Sequence, residues 1–524
     1  MSTAPLNGAA PAPLTTRERL AAAGAFAAAL LYGVHSTLPD LPGPFEVADI
    51  GSDRFRFQWV SGASNIGTLC GMSILPWFRS RFGMRRCYFA GLLLFAVGGL
   101  SGVWVRDDTV LAATTLVAAV GNGLVITTVL SLLWLEFPGR HDWSIGLYVA
   151  GLYLGRVVAP VVSGALINEP SWRTVVAAPA ALAGVVLILA YESHRADTPP
   201  SDTPEPFDFP GLALLVTWTT CLFIGLNRFQ LWGWATSDLA AVVYVVGVVS
   251  FVAFGVRQLT TPHPLFALSL LRNRRFALAV LIKAASDTVF AVVLLAVVRY
   301  MVVDRGYPRT TTGLVLLPCV PAMLLAILFT SRFGTRANRK LRLVVGLVGL
   351  AVCTWELARI DLFTDKRWLA AVLAVWAGCA GLAGSPVICI NFDGLTREQV
   401  AASSSIKNVM RVLPTMIGTG LLVIFTDLRA TELFDLHRQT IESNRPPIAD
   451  VSAEIQDRLA PFSTRPSDLP AQANHVVGAW VKANATVWAT QALLQYFAVI
   501  AAGAAVVSLF LRPLPADAPG PLRG

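Results

Sequence analysis

The sequence predicts an all-α membrane protein with 14 transmembrane helices, and three observations carry that expectation. Of 524 residues, 55% are apolar and only 14% charged, whereas a soluble protein carries about 25% charge and needs it to coat its surface. Apolar runs of about 20 residues, long enough to cross a hydrocarbon core, recur along the whole chain. Lys and Arg concentrate in the short connections between those runs, the pattern that sets topology. The formal charge of +9 is therefore read as a topology signal, and nucleic-acid binding is excluded.

Residues 1–19 form a polar, Pro/Ala-rich tail. The apolar stretch after Arg17, Glu18 and Arg19 is too long for a cleaved leader followed by so many spans, so it reads as the first helix. Spans follow at 20–39, 57–78, 87–105, 109–135, 144–167, 174–191, 210–226 and 238–256. Six more lie at 276–302, 311–331, 341–360, 368–391, 401–426 and 485–511. The clusters Arg79/Arg81/Arg85/Arg86, Arg272/Arg274/Arg275 and Arg336/Arg339/Lys340/Arg342 all fall in even-to-odd connections. That places these connections and both termini, including tail 512–524, on the cytoplasmic side of a bacterial inner membrane.

Two connections differ in composition: the Pro- and acid-rich 198–209, and a polar segment at 428–484 on the outer face. In the latter, 428–442 and 450–459 read as short amphipathic surface helices. The tetrapeptide Ser80-Arg81-Phe82-Gly83 after span 2 recurs as Ser331-Arg332-Phe333-Gly334 after span 10. A repeat at equivalent connections predicts two six-helix bundles, 20–191 and 276–511, with a linker and two inserted helices at 192–275.

Ionisable groups deep in a bilayer cost about 2.5 to 3.5 kcal/mol each on insertion scales, so those inside spans are candidates for function. Lys283 and Asp287 are spaced i,i+4 and share a helix face. They form either a self-neutralising pair that makes span 9 insertable or a titrating carboxylate with its counter-ion. Arg156 has no carboxylate within a helical turn and therefore needs a cavity, an interface to snorkel to, or a partner on another helix, Asp287 being one candidate. His35 is either a proton acceptor or a satisfied hydrogen-bonding residue. Gly151, Gly155, Ala159 and Ser163 place a small residue at every fourth position of span 5, with Pro160 and Gly164 beside them. Such a face admits another backbone closely, as static packing or as a sliding interface. Lys407, Asn408 and Arg411 form a polar stripe read as a cytoplasmic gate or helix contact. Tyr148, Tyr153, Trp355, Trp376, Trp488 and Tyr496 are aromatics able to meet flat or cationic ligands or to anchor at interfaces. The seven cysteines show no metal-ligand spacing, no Walker or Gly-x-Ser-x-Gly motif occurs, and neither cofactor, metal nor enzymatic activity is expected.

Residues 155–164 with the following Asn168-Glu169-Pro170-Ser171-Trp172-Arg173 resemble motif C of major facilitator exporters. Trp59-Val60-Ser61, Phe207-Asp208 with Gly211, Asn227-Arg228 through Trp234, Pro264-Leu265-Phe266 through Phe276, and 395–411 extend the resemblance over nearly the whole chain. Arg81, Gly83, Arg85 and Arg86 resemble motif A, with Pro76 and Ser80 at its first Gly and its Asp. The chain is thereby identified as similar to the EmrB/QacA drug:proton antiporters, closest to EmrB-like exporters. The resemblance implies the major facilitator fold and proton-coupled export of small amphipathic, often cationic compounds. It further implies a periplasmic adaptor and an outer-membrane channel as partners. The family's helix-1 Asp falls on Leu30 and its helix-4 Arg on Val117, a departure that bears on proton coupling. Two rivals are an uncoupled or differently coupled exporter of one metabolite or lipid-like compound, and a transport-inactive scaffold or sensor.

Overall fold

The computed structural model of the chain describes residues 14–40, 49–52, 54–137, 140–166, 173–193, 206–232, 238–266, 268–333, 338–393, 395, 397–442, 448–462 and 469–511. Among these residues every regular element is helical, in order α1 Thr16–His35, α2 Arg54–Phe82, α3 Met84–Ser101, α4 Asp108–Glu136, α5 His141–Leu166, α6 Arg173–Ser193, α7 Phe209–Trp232 and α8 Asp238–Thr260. The chain continues through α9 Arg274–Arg299, α10 Arg309–Leu316, α11 Cys319–Phe333, α12 Arg339–Leu357, α13 Lys366–Phe392, α14 Arg397–Glu442, α15 Ile448–Leu459 and α16 Leu469–Leu509.

Every apolar run found in the sequence lies on helix, the tenth being divided into α10 and α11 at Leu317-Pro318. Pro lacks the N–H that a continuous helix needs. Among the described residues, ten helical segments are long and apolar enough to cross a membrane, counting α10 and α11 together. α1, α2, α6, α12 and the short α15 fall outside that set. α1 and α12 open on charged turns, Arg17-Glu18-Arg19 and Arg339-Lys340-Arg342, which dilute their apolar character.

Capping explains several starts. Thr15 accepts from the Glu18 amide while Glu18 reaches back to the Thr15 amide, a reciprocal cap on α1. Asp107 caps α4, Asn273 caps α9 and Asp365 caps α13. Gly83, at φ 83°, turns the chain sharply between α2 and α3, a conformation a side chain would resist.

α5 packs on α1 and also on α10, α11 and α13, while α14 packs on α9 and α16 and also on α2 and α4. These two helices join the earlier and later parts of the bundle. α7 touches α8, α2 and α14 at the periphery. α8 presents Val242, Val245, Val249, Phe251 and Val256, all exposed, as a lipid-type face.

One expectation needs correction. Residues 428–442 are not a separate surface helix but the continuation of α14, and α16 likewise begins at Leu469, before the expected span. At 1.5 Å per residue the 46 residues of α14 extend about 69 Å, well beyond a core of about 30 Å. The pair therefore forms a stem, with α15 packed on α16. Residues 168–172, Gly334, Trp234, most of 198–209, and the tails 1–13 and 512–524 lie outside the described residues.

Candidate functional site

The helix starts and ends rich in Lys and Arg gather at one end of the bundle, here the basic end. There Arg339 spans two carboxylates, with Nη2 at 2.5 Å from Asp142 Oδ2 and Nη1 at 2.9 Å from Asp393 Oδ2. Arg342 Nη2 adds a bond of 3.1 Å to Asp142 Oδ1, and Arg275 approaches Asp393 at 3.5 Å. Asp142 opens α5 while Arg339 and Arg342 open α12, so the network ties segments 197 and 200 residues apart. Trp134 stacks on His141 at 3.9 Å beside it. Further in, Ser131 and Ser404 bond at 3.2 Å and Asn408 donates to Thr127 Oγ1 at 3.1 Å. Asn408 therefore joins α14 to α4, and these bonds draw the basic end together.

One layer deeper lies the charged centre. Asp287 is fully buried, and its Oδ1 accepts from Lys283 Nζ at 2.5 Å and from Tyr153 Oη at 2.7 Å. Lys283 also donates to Tyr153 Oη at 3.2 Å. The i,i+4 pair on α9 is thus completed by α5. Tyr153 stacks on Phe290, which stacks on Trp376, whose indole N–H donates to Thr354 at 3.1 Å. Arg411 sits 4.6 Å over the Tyr32 ring and donates to Tyr148 Oη at 3.4 Å. Lys407 lies 4.2 Å from the Phe392 ring centre and its Nζ has no hydrogen-bond partner. Arg156 does not bond Asp287: Lys283 and Tyr153 take Oδ1, while Asp287 Oδ2 and Arg156 Nη1 are each buried without a partner.

Arg156 instead lines a cavity with Tyr32, Ser64, Asn65, Leu294 and Thr415, among others. The lining follows Tyr153 on α5, Asp287 on α9 and Arg411 on α14, so the cavity sits on the far side of the charged layer from the basic end. His35 occupies a second cavity, with Phe57, Val60 and Phe95, where Ser64 Oγ lies 3.4 Å from its Nε2 and Phe95 meets it edge-on. The structure does not bring His35 to Asp287. Among the described residues no cluster of His, Cys, Asp and Glu could hold a metal ion.

The small-residue ladder divides. A Cβ on Gly151 or Gly155 would come within 2.5 or 2.2 Å of the Phe26 or Leu30 carbonyl oxygen, so these glycines let α1 and α5 touch backbone to backbone. Ala159 is buried beside them. Gly164 faces α10, where a Cβ would stand 2.4 Å from the Arg309 carbonyl oxygen. Pro160 reaches the Arg156 cavity. Of the motif A residues, Gly83 makes the turn described above, Arg81 lies over Trp77, Arg85 lies over Phe89 and Arg86 is exposed. Leu30 packs near Gly155, and Val117 is 40% exposed on the outer surface, away from the cavity.

Sequence reasoning did not connect Asp142 with Arg339 or Tyr153 with Asp287. An Asp in the first turn of an apolar helix, opposite a basic cluster at another helix start, was the available signal for the first. The second gave none beyond a tyrosine in mid-span.

A polytopic helical bundle with one end locked by ion pairs, a buried charged centre and a cavity beyond it has the architecture of a membrane transporter. The profile of the Major Facilitator Superfamily matches residues 21–419, and the chain belongs to that family. It is 24% identical over 400 residues to the multidrug resistance protein Stp of Mycobacterium tuberculosis, covering 74% of this chain and 71% of Stp. It is 23% identical over 418 residues to the multidrug export protein EmrB of Escherichia coli, covering 78% of this chain and 80% of EmrB. The fold matches that of the proton:xylose symporter XylE with a TM-score of 0.55 over 94% of this chain and 96% of XylE, at 12% identity. The similarity to EmrB agrees with the family resemblance carried by the motifs.

Proposed function

We propose that this protein exports small amphipathic compounds across the bacterial inner membrane by alternating access, with proton movement coupled through Asp287. The observation that carries the reading is the bond from Tyr153 on α5 to Asp287 on α9, buried between the closed basic end and the Arg156 cavity. A carboxylate that holds Lys283 and Tyr153 when ionised loosens both when protonated, so its charge state reaches helices on both sides of the bundle. Its position on α9 supplies a titrating group in a chain that carries Leu30 and Val117 where relatives' relay residues are expected. The relatives named for multidrug export support the substrate breadth.

The basic end is assigned to the cytoplasm by its Arg and Lys content, with both termini on that side. In that orientation the structure is closed inward and its cavity lies toward the outside. Uptake of amphipathic compounds into inverted vesicles on imposing a proton gradient tests the function. Uptake above that of vesicles lacking the protein supports it, and equality across a broad compound panel contradicts it.

The stem of α14, α15 and α16 is proposed to dock a periplasmic adaptor that leads to an outer-membrane channel. Replacing residues 443–468 by a short Gly/Ser linker is expected to spare uptake in inverted vesicles and eliminate resistance in intact cells. Loss of both, or of neither, contradicts the docking role.

A further inference from the structure

The charge balance of the central layer is one-sided. Among the described residues, its buried ionisable groups are Arg156, Lys283, Asp287, Lys407 and Arg411: four cations against one carboxylate. Their charges act on one another across α5, α9 and α14, so they form one electrostatic unit. Loss of a proton from either lysine still leaves cations in excess. Three of the four cations also keep unsatisfied donors: Arg156 Nη1, Lys407 Nζ, and both Nε and Nη2 of Arg411. Each of these side chains is at least nine-tenths buried, with Arg156 at 5%, Lys407 at 3% and Arg411 at 2% exposure.

Buried charges in proteins are otherwise paired or hydrogen-bonded, because desolvation without compensation is costly. Here Asp287 Oδ2 is the one carboxylate oxygen without a partner, against four donor nitrogens on three cations, so acceptors are what the layer lacks. Arg156 lines the cavity, Arg411 lies directly behind its Tyr32 wall, and the Thr415 hydroxyl in the same wall is also without a partner. The other side of the cavity is apolar, formed by Ala291, Leu294, Leu295 and Val298 of α9. A guanidinium presents planar paired donors that match a carboxylate, sulfonate or phosphate.

We propose that the cavity binds an amphipathic anion, its oxyanion group held by Arg156 with Arg411 behind the Tyr32 wall and its apolar body against α9. The proposal rests on the transporter reading and narrows its substrate class. It runs against the cationic class that the family resemblance implies, since a cationic amphiphile would add positive charge to a layer whose cationic side chains already outnumber its one carboxylate.

Naphthalene-2-sulfonate and 2-naphthyltrimethylammonium share a ring system and carry fixed opposite charges. Binding of each to the purified full chain, by equilibrium dialysis, and uptake of each into inverted vesicles distinguish the classes. The sulfonate is expected to bind at least about tenfold more tightly than the ammonium. Arg156→Gln and Arg411→Gln are each expected to weaken it by about tenfold or more, with Arg156→Lys losing less. The parent comparison needs no variant, so a poorly folded substitution does not decide the result. Tighter binding or uptake of the ammonium overturns the anion site and leaves export standing. Sulfonate bound by the parent and released by Arg156→Gln, yet not moved by vesicles, supports the site and counts against export. Equal sulfonate affinity in a folded Arg156→Gln protein overturns the assignment to Arg156, and binding of neither probe overturns the site.

Discussion

The basic end and the central layer both bury arginines, and they treat them oppositely. At the basic end Arg339 and Arg342 open α12 and are matched by Asp142 and Asp393, with guanidinium groups bonded to carboxylates on other helices. In the centre four cations surround Asp287 alone, and three of them retain donors without acceptors. A satisfied network fixes an arrangement, while an unsatisfied one awaits a partner or a proton. The comparison contrasts an end whose ion pairs tie the two parts of the bundle together with a centre that, in the proposed cycle, changes charge or occupancy.

Breaking the end should have the largest effect on conformation. Asp142→Asn leaves Arg339 and Arg342 buried with a neutral partner, and removing one member of a buried pair costs about 3–5 kcal/mol. The basic end is then expected to open. Cys389, buried there with its Sγ 3.9 Å from the His141 carbonyl oxygen, reports this directly. Its alkylation rate, resolved by mass spectrometry, should rise by about tenfold or more; an unchanged rate would mean that the ion pairs do not hold the closed state.

A smaller and more local effect separates packing from motion along α5. Gly155→Leu drives a side chain into the α1 backbone, and overpacking of this kind costs about 1–3 kcal/mol or more, so thermal stability should fall. Gly164→Leu meets α10 instead and should reduce transport more than stability, because it forces apart a contact between the earlier and later parts of the bundle. Equal melting temperatures for the two variants would show that the ladder does one job along its length.

Helical periodicity alone made part of the site legible. Lys283 and Asp287, four residues apart in an apolar run, had to share a face, and they bond at 2.5 Å. Arg156 stood out because nothing nearby in sequence could neutralise it. The partners across the bundle were not legible: Tyr153 reaches Asp287 over 134 residues, and a phenol in a membrane span carries no signal of its target. Arg339 and Arg342 were read from composition as topology markers, and only tertiary packing turns them inward onto Asp142. His35 was read as a proton acceptor or a satisfied hydrogen-bonding residue, and its helix face points it to a separate cavity. The helical character of the spans was evident from apolar length, whereas the extension of α14 through Leu428 was hidden by the loss of apolar residues where the helix leaves the membrane.

In the proposed cycle the charge on Asp287 couples protons to export, and the ion pairs of the basic end do not. Asp287→Asn keeps the shape and a hydrogen-bonding oxygen but cannot change charge. Gradient-driven uptake and substrate exchange at equilibrium, measured on the same inverted vesicles, separate coupling from binding. Asp287→Asn is expected to lose uptake against a concentration gradient and to retain exchange. Uphill uptake equal to that of the parent would contradict that coupling.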